Sequence, residues 1–135
     1  MRLYAHRMEG ITSTKWDLFL AMAADVEALP DLDPPEAVSC HVLCHALSQR
    51  HGVPAVNGWY AGRMNWHSWL DMGDGIVADM YPVAGGRPQV LDTNGYLNPA
   101  STLYVEVPGA LERIGVDPAP LARILLDHLD QRTTP

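Results

Sequence analysis

The chain has 135 residues, a length typical of one domain that buries a core without disulfide or metal support. Hydrophobic residues make up 47% and charged residues 19%, which is the composition of a globular protein rather than a disordered one. The formal net charge is −7, from 9 basic and 16 acidic residues, and the sequence contains no basic run. These values argue against nucleic acid and against an anionic membrane surface as partners.

The N-terminal residues indicate the compartment. They carry charges at Arg2, Arg7 and Glu9 and lack the apolar stretch of a signal peptide. No apolar run reaches the roughly 20 residues that span a bilayer. Two cysteines without an export signal, Cys40 and Cys44, indicate reduced thiols. The sequence therefore predicts a cytoplasmic protein with no membrane contact.

Two helices are predicted in the first part of the chain. Residues 14–29 repeat apolar side chains at helical spacing, with Thr14 or Ser13 as the N-cap. A second helix is predicted over 39–51, where Gly52 is a typical C-terminal stop.

Strands are predicted after the second helix. The segments 53–60, 63–71 and 75–81 have strand-like composition and are joined by short glycine-containing links, a pattern typical of an antiparallel meander. Two further short strands are predicted at 89–91 and 102–107.

The C-terminal part is predicted to be helical. Pro108 is placed in the first turn of a short helix that stops near Gly115, and Asp117-Pro118 begins a last amphipathic helix.

The order of elements predicts the fold class. Helices, then antiparallel strands, then a C-terminal helix indicate an α+β fold in which N-terminal helices pack on a small antiparallel sheet. We expect one domain over 1–135, with its core at about 36–107 and a helical segment at 108–132.

Three residues, Cys40, His67 and Asp79, are candidates for chemistry. If Ser39 caps the second helix, Cys40 lies in the first turn, where the helix dipole and unpaired N–H groups favour a thiolate. The same N–H groups can donate to an oxyanion.

The predicted hairpin relates His67 to Asp79. If residues 72–74 form a three-residue loop, Asp71 pairs with Gly75, and His67 then lies directly across from Asp79 on the same face. A carboxylate at that position holds one imidazole nitrogen while the other faces the thiol.

The flanking sequence resembles a known family. Ser39-Cys40 begins an apolar helix that ends in His-Gly-Val-Pro-Ala at 51–55. Trp-His-Ser-Trp-Leu at 66–70 and Ile-Val-Ala-Asp at 76–79 follow. This order resembles the core of the transglutaminase-like (papain-related) superfamily, which also includes arylamine acyltransferases, peptide N-glycanases and lasso-peptide leader peptidases. The resemblance covers about residues 39–82 and places the chain near the leader-peptidase-like branch.

The resemblance implies an activity and a role for each residue. Cys40 corresponds to the nucleophile, His67 to the general base and acid, and Asp79 to the residue that orients the imidazole. The implied reaction is acyl transfer from an amide or thioester by a peptidase, deamidase or acyltransferase that needs no cofactor and acts on a peptide or protein. The helix is about one turn shorter than expected for the family, which leaves Cys44 open as the nucleophile. Residues 83–135 match no part of the family.

Three residues are predicted to bind substrate: Trp69, Trp59 and Asn65. Trp69 shares a predicted strand face with His67, so it is the preferred cleft residue. The resemblance implies a side chain at the oxyanion site, for which Trp59, Asn57 and Asn65 are the candidates.

Other interpretations of the same residues remain. Cys40, Cys44 and His67 have a workable geometry for zinc, but no second paired-ligand motif exists, so no metal is expected. His41 and His45 are interpreted as solvated or hydrogen-bonded surface residues. The rival function is a non-catalytic protein-binding module on the same scaffold, and the sequence leaves the oligomeric state open.

Overall fold

The fold is mixed α/β. The computed structural model describes residues 10–29, 39–80 and 88–133, and these contain four α-helices and a five-stranded antiparallel sheet of order β4-β3-β2-β1-β5. The helices are α1 (Ser13–Ala28), α2 (Cys40–His51), α3 (Ala110–Arg113) and α4 (Ala119–Thr133). The strands are β1 (Ala55–Tyr60), β2 (Asn65–Asp71), β3 (Ile76–Asp79), β4 (Gln89–Asp92) and β5 (Tyr104–Glu106). Within the described ranges, no helix has both the length and the apolarity to cross a membrane.

The predicted cap of α1 was wrong. Thr12, not Thr14 or Ser13, has extended backbone angles, and its hydroxyl accepts a hydrogen bond of 3.2 Å from the Lys15 N–H. The helix therefore begins at Ser13. It buries Phe19 and two other apolar side chains of the same stripe against the sheet and α2.

Both predicted ends of α2 are confirmed. The Ser39 hydroxyl accepts a hydrogen bond of 3.2 Å from the Val42 N–H, and Gly52 ends the helix in the left-handed region at φ 72°. Leu43 and Leu47 pack into the main core with the inner face of the sheet, whereas Val42 faces α4. The helix thus lies between the sheet and α4.

The β2–β3 hairpin has a three-residue loop, but its position differs from the prediction by one residue. The Met72 N–H donates to the Ile76 carbonyl over 2.9 Å, so the loop is 73–75 rather than 72–74. All three loop residues have positive φ, which two glycines adopt without strain. This register keeps Met72 in the core, where it is 8% exposed.

The C-terminal elements differ from the prediction at their boundaries, and the strand predicted at 102–107 covers only Tyr104–Glu106. α3 begins at Ala110 and not in the turn of Pro108, because Gly109 precedes it in the left-handed region at φ 72°. A 3-10 helix at Pro99–Thr102, which the sequence did not indicate, leads into β5. α4 packs against α2 through a small cluster of buried residues: Val42, Ala46, Ala122 and Leu125.

Candidate active site

Cys40 is the first residue of α2 and is 8% exposed. Its N–H belongs to the first turn of the helix, whose donors have no helical carbonyl partner. The Ser39 cap holds this turn in place. The position therefore offers a sulfur atom and backbone donors side by side, next to the positive end of the helix dipole.

His67 and Asp79 are in direct contact. The His67 Nε2 atom lies 2.9 Å from Oδ1 of Asp79, and the two residues are only 2% and 4% exposed. Their predicted shared face is confirmed, but the predicted register was wrong. β2 and β3 pair Leu70 with Ala78, so the same offset puts Asp79 opposite Trp69. His67 and Asp79 are diagonal neighbours, a separation that long side chains bridge.

The pKa values of Cys40 and His67 shift in opposite directions. Burial opposes the thiolate, but hydrogen bonds from His41 and His67 and their charges outweigh it and lower the pKa of Cys40 from 9.0 to about 6. Burial also opposes the imidazolium, yet hydrogen bonds to Asp79 and Cys40 and their negative charges raise the pKa of His67 from 6.5 to about 9. Between these values the two groups form a thiolate–imidazolium pair.

Cys44 differs sharply from Cys40. It is fully buried in the main core, and its pKa is raised well above 9.0 by burial and by the negative charges of Cys40 and Asp79. A thiol in that position stays protonated and is shielded from reagents. The structure therefore separates the two cysteines that the sequence left as alternatives.

Tyr104 is a member of the site that sequence reasoning missed. Its hydroxyl donates a hydrogen bond of 2.8 Å to Oδ2 of Asp79, so both carboxylate oxygens have a partner. Burial and the negative charge of Asp79 hold the pKa of Tyr104 well above its usual value, so it remains a donor. Its ring also contacts Tyr60 and Trp69, with centroids 5.1 Å apart in each case.

His41 was also missed as a site residue. It is half-buried rather than solvated, with Nδ1 3.8 Å from the Cys40 sulfur and 2.7 Å from the hydroxyl of Ser68. The Ser68 hydroxyl in turn donates to Oδ1 of Asn57 over 2.6 Å. His45, by contrast, contacts only the exposed Gln49 among the hydrogen bonds of the described residues.

The three residues predicted to bind substrate have different positions. Trp69 is confirmed on the face of His67, with ring centroids 6.2 Å apart, but it is only 4% exposed. Trp59 is half-buried on the opposite face, against the ring of Trp66. Asn65 is exposed at the start of β2, where it pairs with Tyr60.

A cavity of about 300 Å³ lies on the sheet face that carries Trp69 and Tyr104. Its apolar walls include Val56 and Val77, and exposed carboxylates, Glu106 among them, also line it. The cavity is therefore lined by Trp69, whose ring lies near that of His67, and by Tyr104, which is hydrogen-bonded to Asp79.

The described residues contain no group of three or more histidine, cysteine or acidic side chains arranged to hold a metal ion. Comparison of the chain with protein-family models, with curated proteins and with solved structures gives no match. The geometry of the side chains is consequently the basis for a functional assignment.

Proposed function

We propose that this protein is a cysteine-nucleophile acyl-transfer enzyme that acts on an amide or thioester through Cys40, His67 and Asp79. The observation that carries the proposal is the buried His67–Asp79 hydrogen bond beside a thiol whose pKa is lowered to about 6. A nucleophile, a base within reach of it and a third group that orients the base form the arrangement expected for covalent catalysis. The sequence resemblance to the transglutaminase-like superfamily supports the same assignment.

The first half-reaction begins with the thiolate. The Cys40 sulfur attacks the carbonyl carbon, a C–S bond forms and the carbonyl π electrons move to oxygen. The backbone N–H of Cys40, in the first turn of α2, can donate to that oxyanion. The intermediate then collapses, the bond to the leaving amine or thiol breaks, and His67 supplies the proton that the leaving group needs.

The second half-reaction releases the acyl group. Nε2 of His67 is hydrogen-bonded to Asp79. Nδ1 is therefore the nitrogen that takes a proton from the incoming water or amine. Water or an amine attacks the thioester, the C–S bond breaks and the Cys40 thiolate returns. Asp79 holds the imidazole in this orientation throughout and stabilises its charged form.

The size and chemistry of the site indicate a substrate class. Trp59 and Trp66 present half-buried rings on the same sheet face as Asn57 and Ser68, two residues away from them along β1 and β2. Such rings are suited to a peptide chain rather than a small polar metabolite. We propose a peptide or protein substrate and a cytoplasmic location, since both cysteines are free thiols.

Site-specific alkylation tests the proposal. The wild-type protein is treated with iodoacetamide at about pH 6 and the label is mapped by mass spectrometry. Cys40 is expected to be labelled rapidly, His67→Ala to slow the labelling, and Cys44→Ser to leave it unchanged. Labelling of Cys44 first, or of neither cysteine, contradicts the triad and supports the non-catalytic binding module.

An activated ester tests turnover without knowledge of the natural substrate. With p-nitrophenyl acetate, we expect a burst of nitrophenol and an acetyl group on Cys40, the signature of an acyl-enzyme. Faster steady-state release in the presence of a primary amine indicates a transferase, and no change indicates a hydrolase. Cys40→Ala must abolish the burst, whereas a burst that persists in this variant contradicts the proposal.

A further inference from the structure

Cys40 has two histidine neighbours, not one. His67 and His41 both lower the pKa of its thiol, and Nδ1 of His41 lies 3.8 Å from its sulfur. His41 is the next residue of α2 and belongs to none of the contacts that orient His67. Neither half-reaction moves a proton through His41.

The hydrogen bonds of Ser68 determine where the proton of His41 lies. A serine hydroxyl carries one hydrogen, and Ser68 donates it to the Asn57 side-chain oxygen, which can only accept. The Ser68 oxygen must therefore accept from Nδ1 of His41, 2.7 Å away. Nδ1 carries a hydrogen in this arrangement, and the same nitrogen lies 3.8 Å from the Cys40 sulfur.

The anchor of His41 is rigid. Ser68 is fully buried in β2, and Asn57 is its direct cross-strand partner in β1. Burying a hydroxyl without hydrogen-bond partners would destabilise the fold, and Ser68 avoids this through its bonds to Asn57 and His41. These two bonds connect β1, β2 and α2. His41 is thus fixed by the sheet while its backbone belongs to α2.

We propose that His41 is a second activating partner of Cys40: its Nδ1–H is donated to Ser68, and the positive end of this N–H dipole, 3.8 Å from the sulfur, stabilises the thiolate while His67 transfers the proton. This inference rests on the proposed function and divides its tasks between two imidazoles. The His41 N–H stays in place when His67 gives its proton to the leaving group. It therefore stabilises the sulfur both as nucleophile and as the group released when the acyl-enzyme breaks down.

Few other ionisable groups of the described residues face the thiol. Asp79 lies behind His67, and Tyr104 lies behind Asp79. Cys44 is one turn further along α2 and stays protonated. The charged pair of Arg50 and Asp130 lies near the other end of the helix, about 15 Å away along its axis at 1.5 Å per residue.

Two amide variants of His41 form the test. In His41→Asn the amide nitrogen can take the place of Nδ1, whereas in His41→Gln the longer chain carries it to the place of Nε2. Both are uncharged and polar, so differences in folding between them are small, and circular dichroism checks this. The readout is the rate of iodoacetamide labelling of Cys40 against pH.

We expect His41→Gln to slow labelling at about pH 6 by at least about tenfold, the size expected when a charged group loses a hydrogen bond. His41→Asn is expected to stay within about threefold of the wild type. Equal rates in the two variants, or a His41→Gln rate equal to the wild type, overturn the role of His41 alone. A wild-type Cys40 that is not labelled at about pH 6 overturns the proposed function together with this inference.

Discussion

Tyr104 of β5 donates a hydrogen bond of 2.8 Å to Asp79 of β3, although β1 and β2 lie between these two strands in the sheet. The tyrosine hydroxyl occupies the carboxylate oxygen that does not face His67. Because the positive end of the O–H dipole points at the carboxylate, it balances part of the negative charge that His67 experiences. Tyr104 therefore both fixes the carboxylate and moderates its effect on the imidazole.

Tyr104→Phe is expected to raise the pKa of His67 above its value of about 9, since the moderating dipole is lost. It leaves a buried carboxylate oxygen without its donor, which costs about 1–3 kcal/mol of the free energy of unfolding. The His67 pKa is measured by NMR titration of the ring and the stability by urea denaturation. Tyr60→Phe is the control, because it keeps the Tyr104–Asp79 bond. A His67 pKa equal to the wild-type value in Tyr104→Phe contradicts the role of the dipole.

The Cys40–His67 pair predicts an unusual pH dependence of stability. His67 alone, with a folded pKa of about 9 above its unfolded 6.5, contributes stability that is complete below pH 6.5 and lost as the pH rises through 9. Cys40 alone, with a folded pKa of about 6 below its unfolded 9.0, contributes stability that is complete above pH 9.0 and lost as the pH falls through 6. Between about pH 6.5 and 9 the folded and the unfolded protein each hold one proton on this pair. The opposite pH dependences of the two groups therefore cancel, and their joint contribution to the free energy of unfolding does not change with pH in this range.

Cys40→Ala removes this cancellation. His67 keeps Asp79 as a partner, so the stability of the variant relative to the wild type is expected to fall as the pH rises above 6.5. Urea denaturation at several pH values measures the difference. Cys44→Ala is the control, because it loses a buried group at every pH but leaves the pair intact. A difference between Cys40→Ala and the wild type that does not vary with pH is incompatible with a thiolate–imidazolium pair.

Local rules were enough to predict the frame of the site. The ends of α2 follow from Ser39 and Gly52, whose conformations depend on neighbours within a few residues. The hairpin register needed more, because the choice between loops 72–74 and 73–75 depends on the burial of Met72 in a core that the rest of the chain completes. The predicted register differs from the observed one by two residues. Because side chains alternate between the two faces with a period of two, His67 and Asp79 still share a face.

Contacts distant in sequence were not predictable in the same way. Tyr104 reaches Asp79 from a strand 25 residues later, and no residue between them marks this contact. Ser68 follows the predicted His67 directly, yet its bond to His41 exists only because α2 lies against β2. The sequence therefore predicted Cys40, His67 and Asp79 as candidate residues but not the groups that contact them.

Ser39→Ala is expected to reduce the free energy of unfolding by about 1 kcal/mol, because the Val42 N–H loses its cap. The first turn of α2 then frays, so labelling of Cys40 at about pH 6 is expected to slow. Thr12→Ala removes the equivalent cap of α1 and is the matched control. It should cost similar stability and leave the labelling rate unchanged, and equal labelling rates in the two variants would show that the capped turn does not position the thiol.

Gly58 lies directly opposite His67 on β1 and leaves no room for a side chain. A Cβ atom there would lie 2.0 Å from the carbonyl oxygen of Val105, so β5 must move. Gly58→Ala is expected to cost about 1–3 kcal/mol of stability, as overpacking does. Because Tyr104 precedes Val105, the movement also breaks its bond to Asp79.

A double-mutant cycle separates the two effects of Gly58→Ala. If the substitution already displaces Tyr104, adding Tyr104→Phe changes neither the His67 pKa nor the labelling rate further, so the effects are non-additive. Val105→Ala serves as the control, since it shortens a half-exposed side chain of the same strand without a clash. In that background Tyr104→Phe should keep its full effect. If the effects of Gly58→Ala and Tyr104→Phe on the His67 pKa and on the labelling rate are additive, the close approach of β1 and β5 is not what keeps Tyr104 hydrogen-bonded to Asp79.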